Sequence, residues 1–197
     1  MSAARETDVE FWDSRYREGQ TPWDFRGVPV ALTRWIAAST AAGGNVLIPG
    51  CGFGYEVRAL AEAGWQVTAI DYAPAAVDQA RRALGALADK IVLGDFFTHD
   101  FGDAQFDVVY ERTFLCALPP ALWPAYARRV AELLVERGRL VGTFFYGSND
   151  DPPPHPLTAE AADAVLGLRF ARTVDEPVTD SLPMFAGQER WQVWEKR

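Results

Sequence analysis

The sequence predicts an α/β fold in which a mostly parallel sheet is covered by helices on both faces. Two observations support this prediction. Short apolar runs of strand length alternate along the chain with amphipathic stretches of helical length, a pattern typical of βαβ units. The 197 residues are 49% apolar, which suffices for the core of one globular domain. We therefore expect a single domain over residues 1–197, with residues 1–40 forming a helical lid over its cleft.

The predicted elements follow one another in a regular order. Two helices come first, and from residue 46 onwards strands and helices alternate. Pro74 favours a helix that starts there, and Gly138 favours the end of the helix before it. Trp191 and Val193 alternate with polar neighbours, which indicates a final strand. The predicted helices span 8–18, 29–39, 54–63, 74–86, 120–136 and 158–166, and the predicted strands span 46–49, 66–70, 90–93, 106–110, 139–145 and 189–195.

Composition and charge restrict the classes of function. The net charge of −8 and the pI near 4.8 disfavour a nucleic-acid substrate, because phosphate binding usually needs a basic face. No run approaches the roughly 18 apolar residues of a membrane span, and residues 1–10 lack the apolar segment of a signal peptide. Cys51 and Cys116 are too few for a disulfide scaffold, and no Cys/His cluster has metal-ligand spacing. We expect a cytoplasmic monomer that acts on a small molecule, with no metal, nucleic-acid or membrane partner.

The first glycine-rich turn is the most informative motif of the chain. The apolar run 46–49 breaks into three alternating glycines, Gly50, Gly52 and Gly54, and a helical pattern follows. Glycine lets the backbone approach a ligand closely. Seventeen residues after the last glycine, a second apolar run ends on Asp71, whose carboxylate can accept hydrogen bonds from both ribose hydroxyls. This arrangement predicts a nucleoside-binding half-fold.

The spacing of this motif distinguishes two cofactors. A dinucleotide fingerprint needs glycine or alanine at position 55, where the helix packs on the strand, and this chain has Tyr55. The three glycines instead give G-x-G-x-G, a pattern familiar from methyltransferases that use S-adenosylmethionine (SAM). An NAD-linked oxidoreductase is also disfavoured because Lys90 and Lys196 are the only lysines and form no evident Tyr-x-x-x-Lys pair. We predict SAM as the cofactor, with Cys51 contributing its backbone more than its thiol.

Side chains that follow other strands complete the predicted cofactor site. Asp71 has an alternative role as a helix cap or turn residue, and Tyr72 either flanks the adenine or lies at the surface. Asp95 ends the third strand, where it can bond the adenine amino group while Phe96 packs on the ring. An Asx turn with a core phenylalanine is the alternative. Ligands of such sheets bind beyond the strand ends, so we expect one cleft at the loops that begin at Gly50, Asp71, Asp95, Glu111 and Tyr146.

Glu111 and Arg112 follow the predicted fourth strand. Glu111 can receive the amino group of the cofactor, and Arg112 can reach the methionine carboxylate or an anionic substrate. A local salt bridge is the alternative. A guanidinium at this place also lowers the pKa of a bound thiol, and Tyr146 can donate a hydrogen bond to the same anion or form a wall of the pocket. We predict that Arg112 and Tyr146 position the methyl acceptor.

Aromatic residues of the N-terminal segment are predicted to cover the cofactor. Trp12 and Tyr16 stand four residues apart and therefore share one helix face, although such pairs usually belong to the core. Trp23 lies in a loop after Thr-Pro, which suits a lid over a ligand. A sulfonium cation can rest on aromatic faces through cation–π attraction worth about 0.5–2 kcal/mol.

These residues together resemble the thiopurine S-methyltransferase family, and within it the halide and thiol methyltransferases. The resemblance covers nearly the whole chain and implies a Rossmann-like class I SAM-dependent methyltransferase with a seven-stranded sheet. It implies a small soft nucleophile as acceptor, most of all a thiol or thiolate, with thiopurine, bisulfide or halide as related acceptors. Its marks are Thr21-Pro22-Trp23-Asp24, Leu47-Ile48-Pro49-Gly50-Cys51-Gly52, Asp95-Phe96-Phe97 and Phe114-Leu115-Cys116-Ala117. It implies cofactor contacts for Trp12, Tyr16, Trp23, Gly50, Asp71, Asp95, Phe96 and Arg112, and a substrate-site position for Tyr146.

Three positions depart from the pattern of the halide and thiol enzymes. Tyr16 stands in place of tryptophan, Arg112 in place of tyrosine, as in the thiopurine group, and His155 in place of an aromatic residue. These departures leave the substrate class open. The alternatives are a methyltransferase for another small acceptor, which would more often need a general base, and a SAM-binding module without activity.

Overall fold

The computed structural model describes residues 5–39 and 43–197. Its helices are α1 (Val9–Glu18), α2 (Val30–Ala38), α3 (Tyr55–Glu62), α4 (Pro74–Leu84), α5 (Trp123–Leu133) and α6 (Ala159–Val165). Its strands are β1 (Asn45–Pro49), β2 (Gln66–Asp71), β3 (Ile91–Leu93), β4 (Phe106–Arg112), β5 (Leu134–Phe145), β6 (Phe170–Pro177) and β7 (Glu189–Lys196). Short 3-10 turns lie at Arg5–Thr7, Gly85–Lys90, Leu115–Ala117, Pro120–Leu122 and Pro183–Phe185.

The seven strands form one sheet in the order β3-β2-β1-β4-β5-β7-β6. The pairs β1–β2, β2–β3 and β4–β5 are parallel, and β7 is antiparallel to both β5 and β6. The predicted fold class, a mostly parallel seven-stranded α/β sheet with helices, is confirmed. Within the described parts of the chain, no helix is both long enough and apolar enough to cross a membrane.

The chain divides into two compact units, Met1–Phe101 and Gly102–Arg197. In the first unit, Pro49 of β1 is paired with Ile70 of β2, so the loops that follow Pro49 and Asp71 leave the sheet side by side. Apolar residues of these strands are buried together with those of α3 and α4, which cover the sheet. The single-domain organisation and the lid stay predictions, and residues 1–4 and 40 of the predicted lid lie outside the described residues.

The second unit carries β4, β5, β7 and β6 in adjacent positions. Arg112 pairs with Thr143 across β4 and β5, and Thr143 pairs with Trp191 across β5 and β7. Phe145 pairs with Glu189 two residues further along. Because side chains alternate between the faces of a sheet, these five residues lie on one face. We call this surface the Arg112 face.

Two regions differ from those predicted. The strand β6 has no predicted counterpart, because it lies at the sheet edge and only Phe170 is fully buried, so its sequence lacks apolar alternation. The helix predicted over 120–136 spans only Trp123–Leu133, after a 3-10 turn at 120–122. The strand predicted over 139–145 begins at Leu134, so Gly138 lies inside β5 and does not mark the end of the helix. In the sequence, Leu134 and Val135 continue the apolar helical pattern. The sequence therefore gives no signal for the direct change from helix to strand at this point. The start of β5 is irregular, since the β4–β5 register shifts there.

Candidate active site

The glycine turn after β1 has a backbone that other residues rarely adopt. Gly50, Gly52 and Gly54 have φ values of 59°, 51° and 74°, in the left-handed region. A Cβ atom on Gly52 would lie 2.9 Å from the hydroxyl oxygen of Tyr16, so that position also lacks space for a side chain. Burial raises the pKa of the Cys51 thiol well above its usual value, which keeps this thiol protonated and poorly nucleophilic. The turn therefore offers backbone atoms to a ligand.

Asp71 is buried at the end of β2 and connects the glycine turn to α4. Its Oδ2 atom accepts a hydrogen bond from the N–H of Gly52, and its Oδ1 atom accepts one from Ala73, both at 3.0 Å. Burial raises the pKa of this carboxyl, and the backbone hydrogen bonds counteract that rise. The Tyr72 N–H donates a third backbone hydrogen bond to this carboxylate. A carboxylate has about four acceptor positions, so these three bonds leave capacity for a ribose hydroxyl. The turn role is thus present in the structure, and the ribose contact stays a prediction.

Four aromatic side chains pack beside this turn, and we call them the aromatic cluster: Trp12, Tyr16, Trp23 and Phe53. The rings of Trp12 and Trp23 meet edge to face at a centroid distance of 5.4 Å, and those of Tyr16 and Phe53 do so at 5.3 Å. The Trp23 indole N–H donates to the Tyr16 hydroxyl at 3.4 Å. Phe53 was missed in the sequence, where the available signal was a large aromatic residue between two glycines. The cluster provides aromatic faces next to the glycine turn, as a sulfonium site needs.

Asp13 is a second residue that the sequence analysis missed. Its Oδ1 atom accepts the N–H of Ala75 at 2.6 Å, and its other oxygen pairs with Arg17. Ala75 lies in the first turn of α4, where N–H groups have no partner within the helix, and the N-cap residue Ala73 provides no side-chain bond. Asp13 therefore caps α4 from another helix, 62 residues away in sequence.

The N-terminal segment is held to the end of β2 by further hydrogen bonds. The backbone carbonyl of Glu6 accepts the Trp12 indole N–H at 2.9 Å and the Tyr72 hydroxyl at 3.2 Å. The Gln79 amide of α4 donates to the carbonyl of Tyr16 at 3.1 Å. Burial and the nearby Asp71 charge raise the pKa of Tyr72. Tyr72 is thus half-buried between β2 and the N-terminal turn, and its contact with adenine stays a prediction.

Asp95 and Phe96 follow β3 in a tight turn. The Oδ1 atom of the exposed Asp95 accepts the N–H of Phe97 at 2.8 Å, which is the Asx turn given above as the alternative. Phe96 is buried and meets the Phe97 ring edge to face at 5.4 Å. This local geometry does not test the predicted adenine contacts of Asp95 and Phe96.

Glu111 lies buried at the end of β4 and bonds within the protein. Its Oε1 atom accepts the N–H groups of Phe114 and Leu115 at 2.9 Å each, and its Oε2 atom accepts the Tyr126 hydroxyl at 2.8 Å. Burial raises the pKa of Glu111 to about 7, against the effect of these hydrogen bonds. Glu111 therefore connects β4 to the following 3-10 turn and to α5. Its bond to the cofactor's amino group stays a prediction.

Arg112 ends β4 and influences two buried acids. Its positive charge lowers the pKa of Glu189 and of Cys116, although burial raises both pKa values overall. The next residue, Thr113, has a φ of 60°, a conformation that costs a β-branched residue about 1–3 kcal/mol. Glu189, a buried carboxyl that the sequence analysis missed, thus lies near the guanidinium that was predicted to attract an anion.

Tyr146 lies after β5, and its hydroxyl bonds with Gln192 of β7. The hydroxyl oxygen lies 3.0 Å from Nε2 and 3.1 Å from Oε1 of the Gln192 amide. Gln192 alternates with Trp191 along β7, so its side chain lies on the opposite face of the sheet from the Arg112 face. The structure does not bring the Tyr146 hydroxyl and Arg112 together, and an acceptor contact for Tyr146 stays a prediction.

Comparisons with known proteins identify the family. The sequence model of the thiopurine S-methyltransferase family matches residues 7–197, and the chain belongs to this family. It is 27% identical over 193 residues to "Probable thiol methyltransferase 2" of Arabidopsis thaliana, covering 94% of this chain and 84% of the relative. It is 30% identical over 177 residues to a thiopurine S-methyltransferase of Bordetella petrii, covering 80% of this chain and 81% of the relative.

Solved structures show the same fold at lower identity. Magnesium protoporphyrin IX methyltransferase from Synechocystis PCC 6803 with bound SAM has a TM-score of 0.76 at 17% identity, and 100% of each chain is covered. A Burkholderia thailandensis 1,6-didemethyltoxoflavin-N1-methyltransferase has a TM-score of 0.77 at 19% identity, covering 100% of this chain and 91% of the other.

The family and the fold together define the class of enzyme. The protein is a class I SAM-dependent methyltransferase, as the sequence predicts. The residues of the first unit fit this cofactor. The buried carboxylate suits a ribose and the left-handed glycine turn suits the approach of a nucleoside. The aromatic cluster suits a sulfonium. The predictions of family, enzyme class and cofactor are confirmed.

Proposed function

We propose that the protein methylates the sulfur of a small thiol or thiolate. The relatives support this acceptor, since they include a probable thiol methyltransferase, a thiocyanate methyltransferase of Brassica oleracea and thiopurine S-methyltransferases. When bound, SAM supplies an electrophilic methyl group whose leaving group is a neutral thioether. The protein then has to align a soft nucleophile and remove its water.

The observation that carries this proposal is the position of Arg112 on a partly buried sheet face. Its charge already lowers the pKa of two neighbouring acids, Glu189 and Cys116. The same charge would lower the pKa of an acceptor thiol and so increase its thiolate fraction at neutral pH. Halide and thiocyanate, which carry a negative charge of their own, would be attracted in the same way.

We further propose how the predicted residues divide between cofactor and acceptor. Asp71 would accept a ribose hydroxyl in addition to its three backbone hydrogen bonds, and the aromatic cluster would cover the sulfonium. Arg112 would serve the acceptor. The remaining proposed cofactor residues are Gly50, Cys51, Gly52, Tyr72, Asp95, Phe96 and Glu111.

The acidic composition also supports a proposal about the cellular setting. With a net charge of −8, the protein is proposed to act as a cytoplasmic monomer without a nucleic-acid partner. Sedimentation of the purified protein tests the oligomeric state, and a second, heavier species at micromolar concentration would contradict it.

An acceptor panel tests the proposed function. The purified protein would be mixed with SAM and one acceptor at a time, namely an aliphatic thiol, a thiopurine, bisulfide, thiocyanate, iodide, a primary amine and a phenol. S-adenosylhomocysteine (SAH) and the methylated product would be measured by mass spectrometry. We expect turnover with the sulfur acceptors and none with the amine or the phenol. Turnover with only the amine or the phenol would show another acceptor class, and SAM binding without turnover on a broad panel would favour a binding module.

A further inference from the structure

Glu189 is a buried carboxyl group with few partners. It begins β7, is 4% exposed, and accepts hydrogen bonds from the Ser181 hydroxyl and the Leu182 N–H. Its cross-strand neighbour is Phe145, which packs with Cys116 and Phe185 in an apolar cluster. Burying a carboxylate beside such a cluster is costly unless its charge is compensated.

The charges around Glu189 set its affinity for a proton. Burial is the largest influence and raises the pKa of Glu189, and the negative charge of Asp180 acts in the same direction. The positive charge of Arg112 and the two hydrogen bonds lower it. The Cys116 thiol is also close enough for Glu189 to raise the pKa of that thiol. The carboxylate consequently binds a proton more readily than an exposed glutamate does.

Thr143 gives an independent sign of a ligand on the same face. Its Oγ1 atom is buried and has no hydrogen-bond partner among the residues that the structure describes. Buried hydroxyl groups are normally bonded, so a polar atom of a ligand would complete this one. Thr143 lies between Arg112 of β4 and Trp191 of β7 in the cross-strand pairing. Glu189 is two residues from Trp191 along β7, so its side chain is the next one on the same face.

We propose that the acceptor thiol binds at the Arg112 face and that Glu189 is the catalytic residue that takes its proton. The S–H bond breaks and its proton moves to a carboxylate oxygen of Glu189. The electron pair left on the sulfur forms the new bond to the methyl carbon, and the bond from that carbon to the sulfonium sulfur breaks. Its electrons remain on the thioether that leaves. Glu189 returns the proton to solvent after the product departs.

This role rests on the proposed function, because only an acceptor that carries a proton needs a base. A simple thiol has a pKa near 8.5 and is mostly protonated at pH 7, whereas thiocyanate and iodide have no proton to lose at that pH. Rates measured with a thiol and with a proton-free acceptor therefore distinguish proton removal by Glu189 from any other role of this residue. Arg112 would hold either anion, and the hydroxyl of Thr143 would donate a hydrogen bond to it.

The test compares Glu189→Gln with wild type on a thiol acceptor and on a proton-free acceptor. With 2-mercaptoethanol we expect kcat/KM to fall by about 10²–10⁴-fold, the usual contribution of a general base. With thiocyanate we expect a change of less than about threefold, since the base has nothing to remove. Glu195→Gln is the matched control, because Glu195 lies on the same strand and face but pairs with Arg137 at the other end. It should leave both rates unchanged.

A measurement that needs no turnover complements these rates. The chromophoric thiol 4-nitrothiophenol would be titrated into the protein–SAH complex while its thiolate absorbance is recorded. We expect the bound thiol to become protonated at a different pH in Glu189→Gln than in wild type. If the variant does not fold, the wild-type pH profile still decides. A thiol that reacts only as free thiolate would lose rate on acidification from about pH 8.5, whereas with Glu189 as base the thiol rate should stay level down to the pKa of Glu189 and fall only below it. The thiocyanate rate should stay flat throughout.

Two results would overturn the proposal, and they differ from each other. Equal losses with the thiol and with thiocyanate in Glu189→Gln would show that Glu189 only positions Arg112. A wild-type protein that methylates no thiol at all would refute the proposed function, and the role of Glu189 with it.

Discussion

Asp13 of α1 accepts a hydrogen bond from the backbone N–H of Ala75 in the first turn of α4, at 2.6 Å. The same helix α1 carries Trp12 and Tyr16, and α4 begins at Pro74, three residues after the buried Asp71. One carboxylate thus fixes the helix of the aromatic cluster to the helix that begins beside the proposed ribose site. Stability and cofactor binding should therefore be coupled at this residue.

Asp13→Ala should destabilise the protein by about 1–2 kcal/mol, because an N–H of the first helical turn loses a charged acceptor. SAH affinity should fall as well, since α1 loses its attachment to α4. Asp13→Asn keeps a carbonyl oxygen for the Ala75 N–H and should lose less of both. Urea unfolding and calorimetry would measure these effects, with Asp78→Ala at an exposed position of α4 as the control. If Asp13→Ala keeps the unfolding free energy and the SAH affinity of the wild type, the hydrogen bond from Ala75 to Asp13 does not contribute to either.

Asp71→Ala should lower SAM affinity and stability together. Each charge-assisted hydrogen bond to a ribose hydroxyl contributes about 1.5–3 kcal/mol, so the loss of one bond weakens binding by about 10- to 150-fold. The variant also leaves the N–H groups of Gly52 and Ala73 without their acceptor. Calorimetry well below the unfolding temperature separates the two effects. Native affinity in the folded variant would remove Asp71 from the cofactor site.

Glu111 should make stability depend on pH in a direction opposite to that of an ordinary carboxylate. Its pKa is about 7 in the folded protein, against 4.5 for the unperturbed group. Between these values the folded state holds the proton that the unfolded state releases, so the free energy of unfolding falls as pH rises from about 4.5 to 7. The full effect is about 3 kcal/mol.

Glu111→Gln isolates this contribution. Its amide oxygen can accept from Phe114 and Leu115, and its NH₂ group can donate to Tyr126, as the neutral carboxyl form would. The difference in unfolding free energy between variant and wild type should grow in favour of the variant from pH 5 to pH 8. Parallel pH profiles would show that Glu111 does not titrate in this range.

The parts of the structure that the sequence predicted well are those set by local patterns. The apolar runs before Gly50 and Asp71, and the glycines between them, determine the strand ends and the turn from neighbouring residues alone. The strand β6 has no such pattern, because an edge strand with one buried face position has little apolar alternation.

The missed residues have roles that depend on distant parts of the chain. Asp13 reaches a backbone N–H 62 residues away, and Glu189 is buried beside Arg112 through the antiparallel pairing of β7 with β5. The sequence predicts Glu111 as a ligand of the cofactor, but tertiary packing gives its carboxylate three hydrogen-bond donors from within the protein. No local pattern encodes such partners, since they follow from topology and register.

Arg112→Met should impair anionic acceptors more than neutral ones. Methionine keeps an unbranched apolar stem but removes the charge that would hold a thiolate, thiocyanate or halide. We expect kcat/KM to fall by about 10- to 150-fold for an anion that loses one charge-assisted bond, and much less for a neutral acceptor such as a dialkyl sulfide. Removing the charge should also raise the pKa of Glu189 further, because Arg112 now lowers it. The acidic limb of the thiol rate would then move to higher pH.

The control for this variant is Arg139→Met, which removes a guanidinium from the same sheet face in the middle of β5, four residues before Thr143. It should leave the ratio of anionic to neutral turnover unchanged. SAM affinity, measured by calorimetry on both variants, distinguishes the two proposed partners of Arg112. If Arg112→Met weakens SAM binding and lowers turnover with every acceptor in the same proportion, the guanidinium binds the methionine carboxylate of the cofactor. If SAM affinity is kept and only the anionic acceptors suffer, Arg112 serves the acceptor.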